Sequence, residues 1–350
     1  MFRYLLPIAA ALIACSCGTP RNATIALAES DSSAPQPVFT NYHVTAVARP
    51  ESLLVRADVD IDFQNISSDT LRAVWIVQPL NNRHDNRAAG QSSHIDSVLI
   101  DEAPVSSLLI TGNDSLIRIP LPASLNQGER VAVSLKVTAR MAESSRSLSD
   151  ESACVCFSDW LPKVVARPKG PGESGEWLAE PADYDVDITV DSGLLVVAPG
   201  DLLNDKQLFG MVPNADSIFI DVLHKPYASD GYTFSRLPSD NGEDTYVWRL
   251  RYAQSFDFLV LRNYLLDRAR KGRLLIESYY PRAQAEIWQR RVAAKGLKYF
   301  KASFSPTSAE QARPLKLVVA GNRSGWFTRD IQLVAAGSKK LKLISPKPGH

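Results

Sequence analysis

A strict alternation of apolar and polar residues over residues 55–63 constrains the fold more than any other feature of this chain. Side chains of a β-strand point alternately to its two faces, so this pattern predicts a strand with one buried face and one face in water. Further strand patterns, with polar turns between them, follow at residues 71–77, 94–100, 116–119 and 131–137. Strands that recur at this spacing predict a β-sandwich or an extended curved sheet.

A second series of strand patterns occupies the middle of the chain, at residues 184–190, 194–198, 218–223, 246–252 and 271–280. Residues 283–304 differ, because apolar residues there recur every three to five positions among charged residues and alanine. That spacing predicts an amphipathic helix, broken near Pro306. Residues 315–319 and 331–334 return to the strand pattern, so the chain is predicted to be mainly β.

The amino terminus has the pattern of an export signal. Arg3 is followed by an apolar run, residues 5–14, that is too short to cross ~30 Å of hydrocarbon. The run ends in Leu12-Ile13-Ala14-Cys15, which resembles the lipobox of bacterial lipoproteins. This resemblance implies a signal peptide over residues 1–14 and a lipid on the Cys15 thiol. The alternative is an ordinary secretory signal cleaved nearby, or lipid attachment at Cys17.

Residues 15–38 are rich in Ser, Ala, Pro and Thr, and such a segment buries too little apolar surface to fold, so it is predicted to be a disordered tether. The 39 basic and 38 acidic residues give a net charge of +1. No overall charge therefore favours nucleic acid, and the predicted membrane attachment relies on lipid. The predicted location is the bacterial cell envelope, on the outer or cytoplasmic membrane and facing out of the cytoplasm.

Cys154 and Cys156 are the cysteines that lie in sequence predicted to fold, and they flank Val155. Residues two apart in a strand share a face at roughly 6.5 to 7 Å, near the limit of disulfide geometry. A redox pair or two metal ligands are possible functions, although a zinc site needs two further ligands and no nearby cluster of Cys or His supplies them. The structural alternative is that both are small residues packed in a strand.

Weak motifs follow one another in a recognisable order along most of the chain. They are residues 53–63, Leu116-Ile117-Arg118-Ile119-Pro120-Leu121-Pro122 with Gly128-Glu129, Phe157-Ser158-Asp159-Trp160-Leu161-Pro162, residues 184–190, residues 196–202, Phe256-Asp257-Phe258, Gly272 with the strand ending at Tyr280, Trp288 with residues 297–300, and residues 315–319. In this order they resemble the front part of the alanyl aminopeptidase and leukotriene hydrolase family of zinc metallopeptidases, the gluzincins. The middle series, residues 157–202, is the most specific part.

The resemblance implies a particular domain arrangement. A saddle-shaped β-sandwich domain of aminopeptidase type would occupy residues 39–281. A short and incomplete α+β start of a thermolysin-like domain would follow at residues 282–337. Residues 338–350, which contain several lysines, would then form a basic tail.

The chain departs from this family at the residues that carry the chemistry. The family's H-E-x-x-H motif places two imidazoles on one helix face to hold zinc, with the Glu as general base. The five histidines are His43, His84, His94, His224 and His350; none precedes a Glu, and no two are four apart. The nearest candidate for the family's G-x-M-E-N loop is Gly325-Trp326-Phe327-Thr328-Arg329, which has no Glu. We therefore assign no catalytic or metal residue and expect zinc only if a missing catalytic half is supplied.

Several aromatic residues are candidates for lining a peptide groove, because aromatic side chains combine a large contact area with a polar handle. The candidates are Trp160, Tyr184 and Trp326, together with Trp177, Trp248 and Trp288. The alternative is that these rings pack in the core or at strand edges.

Three functions remain open from the sequence. The favoured one is a lipid-anchored protein of aminopeptidase ancestry that is not catalytic as this chain, and that binds peptides or proteins or has a structural role. The second is a truncated fragment of an active zinc aminopeptidase, which releases N-terminal residues from peptides. The third is an unrelated β-sandwich surface lipoprotein that binds glycans or protein partners.

Overall fold

The computed structural model of the chain describes residues 40–82, 90–106, 110–112, 114–149, 152–165, 181–209, 242–271, 274–284, 315–319, 325–328 and 331–334. All of them belong to one compact unit, Val38–His350. The other unit, Met1–Pro37, lies outside the described residues, as do the predicted signal peptide, the lipidation site at Cys15 and the whole of the predicted tether. Among the described residues, no helix has the length and apolarity needed to cross a membrane.

The described elements are almost all strands. In chain order they are β1 (Thr40–Arg49), β2 (Leu54–Gln64), β3 (Leu71–Val77), α1 (Pro79–Asn82), β4 (Ser92–Ile100), β5 (Ala103–Pro104), β6 (Thr111–Gly112), β7 (Leu116–Leu125), β8 (Arg130–Arg140), β9 (Arg146–Ser149), β10 (Ser152–Phe157), β11 (Lys163–Val165), β12 (Ala182–Asp191), β13 (Leu195–Val197), β14 (Asp201–Leu202), α2 (Asp205–Phe209), β15 (Glu243–Ala253), β16 (Phe258–Arg262), β17 (Tyr264–Lys271), β18 (Leu274–Pro281), β19 (Leu315–Val319), β20 (Gly325–Thr328) and β21 (Ile331–Val334). Short 3₁₀ turns lie at Glu143–Ser145 and Arg282–Gln284. The prediction of a mainly β chain is confirmed.

The largest sheet has eight strands in the order β14-β15-β12-β1-β2-β8-β4-β5. Only β1 and β12 run parallel among its neighbouring pairs. β2 shows why the sequence alternates: Val59 and Ile61 are buried, whereas Asp58 and Asp60 point to water on the other face. The predicted strand over residues 55–63 is therefore confirmed.

Two four-stranded sheets, β13-β16-β10-β9 and β11-β3-β7-β6, complete the first part of the fold. Buried residues of both sheets and of the eight-stranded sheet form one continuous hydrophobic cluster. The rings of Phe157 on β10 and Phe258 on β16 stack within it, with centroids 4.7 Å apart. The core of the protein thus lies between the inner faces of these sheets.

A mixed five-stranded sheet, β17-β18-β19-β21-β20, contains the last described strands. β18 pairs in parallel with β19, and β19 pairs in parallel with β21. The domain boundary predicted between residues 281 and 282 therefore falls between two neighbouring strands of one sheet, because β18 ends at Pro281. The domain boundaries themselves remain a prediction.

Most predicted strands in the described residues are present, and one has different bounds. The strand predicted over residues 271–280 is present as β18, Leu274–Pro281, which begins three positions later than predicted. The later start arises because Lys271 is the last residue of β17, an antiparallel strand that pairs with β18 over its whole length and that the sequence did not predict. The predicted strand at residues 218–223, nearly all of the predicted helix at residues 283–304 and the tail at residues 338–350 lie outside the described residues.

Candidate functional site

Two loops meet at one end of the β10–β16 pair and form the candidate site. Phe157 pairs with Phe258, so the segment after β10 lies beside the segment before β16. Asp159 has a positive φ of 57°, in the left-handed region that Asp tolerates better than most residues. This conformation lets the Asp159 backbone N–H donate to Oδ1 of Asp257 at 3.0 Å. Ser255 Oγ donates to Oδ2 of Asp257 at 3.3 Å.

The Asp257 carboxyl group has an unusual protonation equilibrium. Burial, helped by the like charge of Asp159, raises the pKa of Asp257 from 3.8 to about 6. The hydrogen bonds from Asp159 and Ser255 and the positive charge of Lys163 act in the opposite direction. The site can therefore take up or release one proton near pH 6, where an ordinary aspartate stays ionised.

A cluster of buried aromatic rings lies beside the segment that carries Asp257. Trp160 is fully buried, donates from Nε1 to the Phe256 carbonyl at 2.8 Å, and meets the Phe258 ring edge-on. The Tyr184 ring stacks on Tyr42 with centroids 4.8 Å apart. Burial raises the pKa of Tyr184, and the nearby Asp257 contributes to that rise. The indole N–H of Trp160 thus has its hydrogen-bond partner inside the protein.

The Tyr42 hydroxyl ties this cluster to the next sheet. It accepts a hydrogen bond from the Val164 backbone N–H at 2.9 Å. Burial raises the pKa of Tyr42 well above its ordinary value, so the phenol stays neutral. Tyr42 therefore joins β1 of the eight-stranded sheet to β11 of a four-stranded sheet.

The predicted groove aromatics have different locations. Trp160 is 0% exposed and Tyr184 is 1% exposed, and Trp248 is also buried. These positions agree with the alternative of core packing, and a role in a peptide groove remains a prediction. The backbone of Trp326 lies in β20, but its side chain lies outside the described residues, as do Trp177 and Trp288.

A buried cation forms a second polar centre that sequence reasoning missed. Lys316 lies in β19 and is 1% exposed. Its Nζ donates to the carbonyl oxygens of Ala198 at 2.7 Å and Gly200 at 2.8 Å. Its neighbour on β18 is Glu277, which is also buried. A Lys between apolar residues of a strand is expected to face water. The burial of Lys316 could therefore not be predicted from the local pattern, because it depends on the carbonyl groups of Ala198 and Gly200, which are distant in sequence.

Solved structures of M1 zinc metallopeptidases align with most of this chain. An M1 zinc metallopeptidase mutant from Deinococcus radiodurans aligns with a TM-score of 0.52 and 12% identity over 87% of this chain. The M1 zinc metallopeptidase from the same organism, without that mutation, gives 0.50 and 13% over 84%. The mutant bound to the substrate Tyr-Ser-Ala gives 0.50 and 12% over 87%. The chain has the fold of the M1 zinc metallopeptidases.

The mainly β architecture, with its several sheets, matches the N-terminal domain of the M1 fold, as the resemblance in the sequence implied. The chain spans 59–61% of the length of these M1 structures. No protein-family model matches the sequence, and no curated protein matches it. The likeness to M1 enzymes is therefore one of fold.

Zinc, which the M1 fold implies, does not fit the residues that the structure describes. His43 and His94 are far out on strand surfaces, with 62% and 77% of their side chains exposed. Each has one Asp near it, at 4.0 Å for His43 and Asp185 and at 3.7 Å for His94 and Asp96. Catalytic zinc takes three protein ligands, and no group of three His, Cys, Asp or Glu side chains is placed to hold a metal within the described ranges. His84, His224 and His350 lie outside them.

Two further sequence candidates have defined positions. Gly325-Trp326-Phe327-Thr328, the nearest sequence candidate for the G-x-M-E-N loop, forms β20 at the edge of the five-stranded sheet. Cys154 and Cys156 are 0% and 4% exposed on β10, face Leu261 and Leu259 of β16, and form no disulfide. Their burial agrees with packing in a strand, the structural alternative from the sequence.

Proposed function

We propose that this chain works at the bacterial cell envelope as a non-catalytic module of aminopeptidase ancestry. In this proposal it binds a peptide or protein, or supports a larger assembly, and does not itself cleave peptide bonds. The observation that carries the proposal is the M1 fold of a chain whose nearest candidate for the G-x-M-E-N loop, the β20 segment Gly325–Thr328, has no carboxylate. A peptide's free ammonium group would find no acidic partner in that segment.

The lipobox supports the proposed location. Cys15 follows small and apolar residues at the end of an apolar segment, the position at which lipoproteins receive their lipid. One acyl chain binds a membrane only marginally, whereas two or more anchor a protein stably. We therefore propose that a lipid on Cys15 holds the protein at the membrane.

Metabolic labelling with palmitate tests this location. The unchanged protein is expected to take up the label and to sediment with membranes. Cys15→Ala should lose the label and leave the membrane fraction, whereas the matched Cys17→Ala variant should behave like the unchanged protein. Retention of label and membrane attachment in Cys15→Ala would contradict the proposed anchor.

A second function is favoured because this chain covers only 61% of the length of the M1 structure. In this alternative the described strands belong to an active zinc aminopeptidase, and the zinc site is supplied by further sequence. Immunoblotting of the natural host's envelope fraction separates the two. The alternative predicts a polypeptide longer than 350 residues that hydrolyses aminoacyl amides, and a chelator should stop this hydrolysis. The main proposal predicts that the polypeptide, whatever its length, does not hydrolyse aminoacyl amides.

A further inference from the structure

We draw no further inference here: the strongest candidate, the apolar face of the β11-β3-β7-β6 sheet that carries the half-buried Trp75, supports none, because nothing in the described part of the structure shows what covers it.

Discussion

The ammonium group of Lys316 lies 4.8 Å from the centroid of the Trp248 ring. Lys316 belongs to β19 of the five-stranded sheet, and Trp248 belongs to β15 of the eight-stranded sheet. The ring face attracts the cation, and the carbonyl groups of Ala198 and Gly200 accept its hydrogen bonds. The buried side chain of Lys316 therefore connects two sheets whose strands, β15 and β19, are distant in sequence.

Replacing Lys316 with Met should destabilise the protein by about 3 kcal/mol, because the carbonyl groups of Ala198 and Gly200 lose their charged donor. Urea unfolding measures the change. Lys136→Met is the matched control: Lys136 is 65% exposed and faces Asp58 at 3.5 Å. It should cost less than about 1 kcal/mol. Equal effects of the two substitutions would show that the buried cation does not join the sheets.

Gly200→Ala should destabilise the protein more than Gly193→Ala. Both glycines have positive φ, 81° and 92°, so either alanine strains the backbone. At Gly200 a Cβ would also lie 2.3 Å from the Arg249 carbonyl oxygen, whereas at Gly193 it meets open space. We expect a cost of about 1 kcal/mol at Gly193 and at least about 3 kcal/mol at Gly200. Thermal unfolding of the two variants gives the comparison, and similar costs would contradict the close approach of Gly200 to β15.

Stability should fall as the pH rises from about 4 to about 6, owing to Asp257. Its pKa is raised in the folded protein to about 6, so over this range the folded state keeps a proton that the unfolded state releases. Proton release therefore favours unfolding, by at most about 3 kcal/mol for a shift of about two pH units. Unfolding free energies measured from pH 4 to pH 8 report this slope.

Two variants isolate the contribution of Asp257 from those of other carboxyl groups. Asp257→Asn should remove this part of the pH dependence and make the protein more stable at pH 8. Asp159→Asn keeps a side chain that tolerates positive φ and removes the neighbouring charge, so the fall in stability should move to lower pH. An Asp257→Asn variant with the same pH profile as the unchanged protein would rule out this carboxyl group as the cause.

The sequence predicted those elements whose pattern is local. The strand over residues 55–63 could be identified because its Asp residues face water while its apolar residues face the core. β16, Phe258–Arg262, was missed because four consecutive apolar residues, all buried, leave no alternation to detect. β17, Tyr264–Lys271, was also missed, because its second half is mostly charged and shows no alternation of apolar and polar residues.

The candidate site was harder to predict because its properties depend on distant residues. Asp257 has its raised pKa because it is buried and because the like charge of Asp159, 98 positions away in sequence, lies near it. Lys316 is buried because carbonyl groups 116 and 118 positions away accept its hydrogen bonds. The sequence identified Trp160 and Tyr184 as candidates for lining a peptide groove. Their burial could not be predicted, because it follows from the packing of the sheets.

Zinc content, measured on the purified chain together with aminopeptidase activity, tests the central claim most directly. The chain is dialysed after exposure to zinc, its metal content is determined, and alanyl and leucyl amides are offered with and without a chelator. The proposed non-catalytic module is expected to retain no stoichiometric zinc and to release no product above a blank without protein. One tightly held zinc per chain, together with turnover that the chelator abolishes, would contradict the proposal and show that this chain builds a catalytic zinc site.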